Sequence, residues 1–196
     1  MGRFKKNKKK NFRFKYRNLM KIIAGVDEVG RGSLIGPVYA AAVILNKSIN
    51  LKLLKDSKCL TKKKREALSK YIKKNSIWAI GKASNKEIDK INILQASLLA
   101  MKRAIKKLKK KPNLVMIDGN KIPKIKNYNL KYVIKGDEKI PQISAASIIA
   151  KVSRDRLISK ISKKYMAYFW NRNAGYGTKN HLLAIKKYGI TKHHRK

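Results

Sequence analysis

The sequence predicts an α/β protein with one mixed β-sheet, and three observations favour this fold class. Short apolar runs typical of strands alternate along the chain with longer segments whose apolar residues recur at helical spacing. Two of the apolar runs are joined by a short glycine-rich link, as neighbouring antiparallel strands often are. A third run shows no polar alternation, as expected of a strand that is buried on both faces.

Five segments are predicted strands, since each is a short apolar run flanked by polar or turn-forming residues. They cover residues 21–27, 37–45, 76–83, 114–117 and 130–134. The link between the first two contains Gly30, Gly32 and Gly36, which break regular structure. We therefore expect the first two strands to be antiparallel neighbours.

Four segments are predicted helices, at residues 61–74, 91–110, 141–164 and 181–188. Thr61 can cap the first of them, and Pro112 follows the end of the second. The third begins with small and apolar residues and becomes polar. Helices and strands thus alternate, as one sheet flanked by helices requires.

The length and composition indicate one folded domain. The chain has 196 residues, of which 43% are hydrophobic, so a core can form. Neither an internal repeat nor a linker between domains is visible. We expect a basic, disordered tail at residues 1–20, one domain at residues 21–190 and a second short tail at residues 191–196.

The charge of the chain is extreme. Lysine and arginine number 51 against 10 acidic residues, a formal net charge of +41. Such a field attracts polyanions, and nucleic acid is the natural partner, with binding that weakens steeply with salt. The many asparagines and isoleucines also fit an AT-biased coding sequence, in which lysine accumulates without selection for binding. Both explanations of the charge stay open.

Other features exclude several classes of protein. Cys59 is the only cysteine, so neither an intrachain disulfide nor a cysteine-rich zinc site can form. No apolar stretch approaches the ~18 residues that a membrane helix needs, and no apolar signal-peptide core follows the basic start. We expect a cytoplasmic protein that acts without a membrane.

An acidic pair ends the first predicted strand. Asp27 and Glu28 run directly into Gly30-Arg31-Gly32. Adjacent acids beside a buried strand repel one another and are costly unless a positive group compensates them. A divalent cation would compensate them, and so would Arg31 alone.

Two further acids follow predicted strands. Asp118 comes directly after the apolar run at residues 114–117, where open α/β sheets place their sites, although Asp-Gly is also a common turn. Asp137 follows another strand and precedes the helix that begins with small residues. Carboxylates at several strand ends would form an all-oxygen site for Mg²⁺ or Mn²⁺, and paired cations of this kind catalyse phosphodiester hydrolysis. The three histidines lie far along the chain, so a catalytic histidine is not expected.

Several motifs together resemble one known family. The segment GVDEVGRGSLIGPV resembles the signature of ribonuclease HII, and DSKCLT, MIDGN, KGDEKIPQISAASIIAKVSRD and GYGTKNH match other segments of that family in the same order. The resemblance runs from about residue 22 to residue 189 and leaves only the tails uncovered.

The resemblance implies a ribonuclease H-like fold, a mixed sheet flanked by helices with a C-terminal helical extension. It implies an endoribonuclease that cuts the RNA strand of RNA–DNA hybrids on the 5′ side of ribonucleotides, including single ribonucleotides in duplex DNA, and leaves 3′-hydroxyl and 5′-phosphate ends. The family's four acidic site residues fall on Asp27, Glu28, Asp118 and Asp137. The first three would be ligands of Mn²⁺ or Mg²⁺, and Asp137 would complete the site.

The resemblance also implies a set of substrate-binding residues. Gly30-Arg31-Gly32 matches a loop that senses the 2′-hydroxyl, the group that distinguishes RNA from DNA. Tyr176 matches a tyrosine that packs on the deoxyribose after the ribonucleotide, although an aromatic residue in a glycine-rich loop commonly packs on its own domain. Positions that resemble phosphate contacts are Lys58, Ser147 and Lys151.

Two other classes of protein compete with this interpretation. A non-catalytic RNA-binding protein such as a ribosomal component explains the charge more simply, but it does not explain acids at three strand ends. Ribonuclease HIII usually carries an extra N-terminal domain, and 20 basic residues cannot form one. We expect a monomer that binds RNA–DNA hybrids and ribonucleotide-containing DNA duplexes.

Overall fold

The computed structural model describes residues 22–54 and 60–196. The predicted basic tail at residues 1–20 and the predicted phosphate contact Lys58 lie outside these residues.

The sheet has five strands in the order β3-β2-β1-β4-β5. β1 is antiparallel to β2, and β2 to β3, whereas β1 is parallel to β4 and β4 to β5. The predicted mixed sheet and the antiparallel pairing of the first two strands are therefore confirmed. The strands are β1 (Ile23–Val29), β2 (Val38–Leu45), β3 (Ser76–Ala83), β4 (Leu114–Asp118) and β5 (Leu130–Val133).

Helices cover both faces of this sheet, and the part of the chain that follows the last strand is entirely helical in its regular elements. The helices are α1 (Lys62–Lys74), α2 (Asn85–Lys106), α3 (Gly136–Lys139), α4 (Pro141–Ser162), α5 (Trp170–Asn173) and α6 (Lys179–Tyr188), with 3₁₀ turns at Leu51–Leu54 and Met166–Tyr168. Thr61 caps α1 as predicted, since its side chain accepts a hydrogen bond from the backbone of Lys64. The part that follows α4 forms the expected C-terminal helical extension.

The second helix begins at Asn85, earlier than the predicted residue 91. Its start is a capping box in which Ser84 and Glu87 bond each other's backbone amides. Asn92 interrupts the helical backbone with φ 63°, and its side chain accepts a hydrogen bond from the amide of Gln95 at 3.0 Å. The apolar periodicity therefore detected the part of α2 that follows this interruption, whereas the first turns are polar.

Small residues bring the two central helices close to the sheet. Alternate residues of β1 and β2 face opposite sides, with Ala40 and Ala42 packing toward α2 and Ala41 and Val43 toward α4. Gly25 in β1 lies directly against the backbone of α4 at Gln142, where a Cβ atom would clash. The start of α4 consequently packs closely against β1, two residues before Asp27.

Residues 191–196 were expected to be a tail, and this expectation is corrected by the structure. His194 is buried and pairs with Ile35 in an isolated β-bridge. The Gly36 amide donates a hydrogen bond to the carbonyl of the preceding residue, His193, at 2.8 Å. The Arg195 amide donates to the carbonyl of Leu34 at 2.9 Å. The segment looks polar in sequence, but it packs on a distant loop whose free backbone groups it satisfies.

Candidate active site

Three acids meet at the carboxyl edge of the central parallel strands. The β1–β4 register pairs Val26 with Ile117, so the next residues, Asp27 and Asp118, lie side by side at the end of the pairing. Glu28 follows directly in β1. The topology therefore brings together acids that are far apart in the chain, as the sequence predicted for strand ends.

Asp27 and Glu28 lie on opposite faces of the same strand, because β1 continues as far as Val29. Asp27 is buried on the α4 side, where the nearby Ser147 hydroxyl lowers the pKa of its carboxyl against the larger opposite effect of burial. Glu28 lies on the α2 side and lines a small cleft of about 100 Å³ together with Asp118. β4 ends at Asp118, so no strand residue beyond Asp118 separates the two faces of the sheet at this edge. Asp27 and Glu28 can therefore act on one site although they lie on opposite faces.

A short helix holds the third acid in place. The amide of Gly136, at the start of α3, donates to Asp118 Oδ1 at 2.6 Å. A Cβ atom at Gly136 would lie 2.6 Å from Ile143 Cδ1 and 3.2 Å from Asp118 Oδ1, so a larger residue would have to displace these side chains. Asp137 is the next residue, half-buried in the first turn of α3, and it thus lies next to the group that binds Asp118.

The acids repel one another in a buried setting. Burial, and then the negative charges of Glu28 and Asp118, raise the pKa of the Asp27 carboxyl well above its usual range. Burial also raises the pKa of Glu28, although the Arg31 guanidinium, 3.2 Å from Glu28 Oε1, opposes the rise. Arg31 therefore compensates only part of the negative charge.

A hard divalent cation fits this donor set. The donors are carboxylate oxygens, and their unrelieved mutual repulsion is what such a cation would offset. Within residues 22–54 and 60–196, no three His, Cys, Asp or Glu side chains are already arranged around one ion position. The carboxylates hold protein partners instead: Asp27 accepts from the Glu28 amide at 2.7 Å, Glu28 pairs with Arg31 and Asp118 accepts from Gly136.

The glycine-rich loop lies directly beside the acids. Gly30 has φ 93°, a conformation that favours glycine, and a Cβ atom there would clash with the Arg154 side chain. Gly32 is open on one side and would place a Cβ atom 3.8 Å from the ring of Tyr176. The predicted 2′-hydroxyl loop and the predicted sugar-packing tyrosine are thus neighbours in space.

Tyr176 is joined to the same loop by the backbone. It forms an isolated β-bridge with Ser33, and its half-buried ring lies 6.0 Å from Lys151 Nζ and 5.9 Å from Arg154 Cζ. Lys151 also pairs with Asp155 at 3.0 Å. Ser147 and Lys151 lie one turn apart on α4, near Asp27 and Tyr176 respectively.

Sequence reasoning missed the residue that joins these parts. Arg154 is fully buried, and its guanidinium donates to Ser33 Oγ at 2.7 Å, to the Ala174 carbonyl at 3.0 Å and to the Ile35 carbonyl at 3.1 Å. It therefore ties the glycine-rich loop to the Tyr176 loop. One arginine among 51 basic residues carries no local signal of burial, so only its tertiary contacts reveal it.

His181 has a structural environment. It is fully buried, Trp170 Nε1 donates to its Nε2 at 2.9 Å, and its Nδ1 lies 2.9 Å from the Tyr176 carbonyl. Its ring supports the Tyr176 loop from behind.

Among the described residues, no helix is both long and apolar enough to cross a membrane.

Comparison with known proteins gives one consistent answer. The family model described as ribonuclease HII matches residues 24–196. The chain is 77% identical over 177 residues to a ribonuclease HII of Pelagibacter ubique, covering 90% of this chain and 95% of that protein. It is 52% identical over 176 residues to one of Borreliella burgdorferi, covering 89% and 97%. The crystal structure of ribonuclease H2 from Pyrococcus horikoshii is similar with a TM-score of 0.70 at 30% identity, covering 86% of this chain and 89% of that chain.

Proposed function

The chain belongs to the ribonuclease HII family, and from that premise we propose that it cuts on the 5′ side of ribonucleotides, including single ribonucleotides in duplex DNA. It is a ribonuclease H, a divalent-metal-dependent endonuclease for the RNA strand of RNA–DNA hybrids. The observation that carries the finer proposal is that the glycine-rich loop begins two residues after Glu28 and lies against Tyr176.

Asp27, Glu28 and Asp118 would hold Mn²⁺ or Mg²⁺, and Asp137 would complete the site. When bound, such cations lower the pKa of the attacking water and stabilise the leaving oxygen. Two protein groups lie beside the acids: the Ser147 hydroxyl is near Asp27, and the Gly136 amide donates to Asp118. Since Gly136 donates to one oxygen of Asp118, the other oxygen is left for a different partner.

In the proposed hydrolysis, a water oxygen forms a bond to phosphorus and the bond from phosphorus to the 3′ oxygen breaks. The products are a 3′-hydroxyl and a 5′-phosphate. A carboxylate at the edge accepts the proton of the water, and the leaving 3′ oxygen takes up a proton from solvent. Asp137, half-buried in the first turn of α3, is the acid we assign to this proton transfer.

Ribonucleotide recognition would depend on the parts that lie beside the acids. The 2′-hydroxyl both donates and accepts hydrogen bonds, so the backbone of Gly30-Arg31-Gly32 can read it at close range. Tyr176 would pack on the next sugar, where a second 2′-hydroxyl is sterically unfavourable. Ser147 and Lys151 would contact the phosphate backbone, and a monomer carries all of these groups.

A cleavage assay tests the proposal. The protein is incubated with a DNA duplex that carries one ribonucleotide, with Mg²⁺ or Mn²⁺, and then with EDTA. We expect a single cut 5′ of the ribonucleotide that stops when EDTA is added. Cutting that continues in EDTA, or cutting at another position, would contradict the proposal.

The variant Asp118→Asn tests the site itself. It should lower kcat by roughly 100-fold or more while leaving duplex binding nearly intact, since it removes a metal ligand without adding negative charge. Glu66→Gln is the matched control, because it also removes one carboxylate but lies on α1, away from the acidic edge. Full activity of Asp118→Asn would exclude the assigned ligand set.

The family match argues against the two other classes of protein that the sequence left open. A non-catalytic basic RNA-binding protein is inconsistent with membership of an enzyme family over residues 24–196. Ribonuclease HIII is replaced by the match to the ribonuclease HII model.

A further inference from the structure

Arg195 binds the glycine-rich loop through its carbonyl groups. Its guanidinium donates from Nη2 to the Gly30 carbonyl at 2.7 Å, from Nη1 to the Arg31 carbonyl at 2.9 Å and from Nε to the Gly36 carbonyl at 2.9 Å. The planar guanidinium thus spans both ends of the 30–36 loop. A lysine ammonium cannot reproduce this, because it presents its donors from a single nitrogen.

Arg195 binds carbonyl oxygens of the 30–36 loop and leaves backbone amides of that loop available. Among the described residues, the backbone amides of Arg31 and Gly32 have no hydrogen-bond partner. These amides belong to the motif that reads the ribonucleotide in the proposed function. Fixing the carbonyl side of the same peptide units therefore fixes the direction of the donors.

The segment that carries Arg195 is itself anchored by a histidine pair. The carbonyl of Tyr176 can only accept, so His181 Nδ1 carries a proton and His181 Nε2 is an acceptor. His194 Nδ1 accepts from the Thr191 amide at 2.8 Å, and His194 Nε2 lies 3.2 Å from His181 Nε2, the atom that accepts from Trp170 Nε1. One chain of contacts consequently joins the Tyr176 loop, the 191–196 segment and the glycine-rich loop.

We propose that Arg195 is a positioning residue for ribonucleotide recognition: its three bonds to the 30–36 loop hold the backbone of Gly30-Arg31-Gly32 in the conformation that reads the 2′-hydroxyl. This inference rests on the proposed function, since it concerns the same loop. It adds a residue that lies 165 positions from Gly30 and touches no acid of the site. Loss of Arg195 should reduce cleavage at ribonucleotides without reducing general attraction to DNA.

Three variants separate positioning from charge. Arg195→Gln removes one charge and the three-way contact, Arg195→Lys keeps the charge, and Lys192→Gln removes one charge from an exposed residue of the same segment. For each we measure kcat/KM on a single-ribonucleotide duplex, the inhibition constant of the same duplex made wholly of DNA, and the melting temperature.

We expect Arg195→Gln to lower kcat/KM at least tenfold and Arg195→Lys to lower it at least threefold. The inhibition constant of the all-DNA duplex should be the same for Arg195→Gln and Lys192→Gln, because each loses one charge. If Arg195→Gln does not fold, Arg195→Lys carries the test, since it keeps the charge and most of the packing.

Two results would overturn the inference. One is a kcat/KM of both Arg195 variants equal to that of Lys192→Gln. The other is a loss of all-DNA binding as large as the loss of cleavage, which would mean that Arg195 only maintains the fold or contacts DNA directly. Failure of the wild-type protein to cut at a single ribonucleotide would instead contradict the proposed function.

Discussion

At the scale of single residues, the environment of Tyr176 distinguishes it from an aromatic that only fills a core. Its ring is half-buried, faces Gly32 and lies near two cations, Lys151 and Arg154. The fully structural aromatics of this region, Tyr168 and Trp170, are instead buried and stacked on each other with centroids 5.1 Å apart. Tyr176 therefore has a surface that a sugar can reach.

The variant Tyr176→Ala tests this interpretation. It should lower kcat/KM at a single-ribonucleotide junction about tenfold, equivalent to ~1.4 kcal/mol of transition-state stabilisation. The effect on a uniform RNA–DNA hybrid should be smaller, because no ribose-to-deoxyribose junction is present there. Tyr132→Ala, at an exposed tyrosine of β5, is the control. Equal losses on both substrates would make Tyr176 a structural residue.

At the scale of secondary-structure elements, the short helix α3 connects the sheet edge to α4. Its first residue, Gly136, binds Asp118 and packs against Ile143 of α4 in the same small space. The predicted strand at residues 130–134 and the predicted helix from residue 141 left this four-residue helix undetected, because four residues show no periodicity.

Gly136→Ala should therefore affect both stability and catalysis. The added methyl group meets Ile143 and Asp118, so we expect a loss of about 1–3 kcal/mol in the free energy of unfolding and a lower kcat. Gly189→Ala is the control, since Gly189 has φ 76° and open space around it, and it should cost a similar ~1–3 kcal/mol through backbone strain alone. Urea unfolding and cleavage rates of both variants check this. An unchanged kcat in Gly136→Ala would show that α3 does not contribute to catalysis.

At the scale of the whole molecule, residues 191–196 at the C-terminus pack against early parts of the chain. This segment contacts the 30–36 loop, and the Lys196 amide donates to Asp89 on α2 at 2.8 Å. His194 provides the buried link to His181 and the aromatic cluster. The integrity of this packing depends on His194 being neutral, since a second proton on its ring would remove the acceptor for Thr191.

The contribution of His194 to stability should accordingly fall in mild acid. Burial, followed by the neighbouring His181, lowers the pKa of His194 in the folded protein. The unfolded chain therefore binds a proton first, and stability that is complete above about pH 6.5 is lost as the pH falls further. Asp27 acts in the opposite direction, because its raised pKa favours the protonated folded form.

Urea unfolding at pH 7.5 and 5.5 measures this effect. His194→Gln is compared with wild type, since Gln keeps a donor and an acceptor but does not titrate. Between pH 7.5 and pH 5.5, the free energy of unfolding should change less unfavourably in His194→Gln than in wild type, because the Asp27 contribution is common to both. Equal losses would show that His194 does not govern the acid sensitivity.

The sequence by itself determined the α/β class, the five strands and the main helices, because apolar periodicity, caps and glycine breaks are local signals. It also predicted the acids, since their motifs are contiguous. Only the tertiary structure decided that Asp27 and Asp118 lie side by side, since this depends on the register of two strands far apart in the chain. It alone revealed Arg154 and Arg195, each of which bonds the 30–36 loop from more than a hundred residues away. A basic side chain has the same local appearance whether water or a distant loop surrounds it, and burial by distant segments is what separates the two.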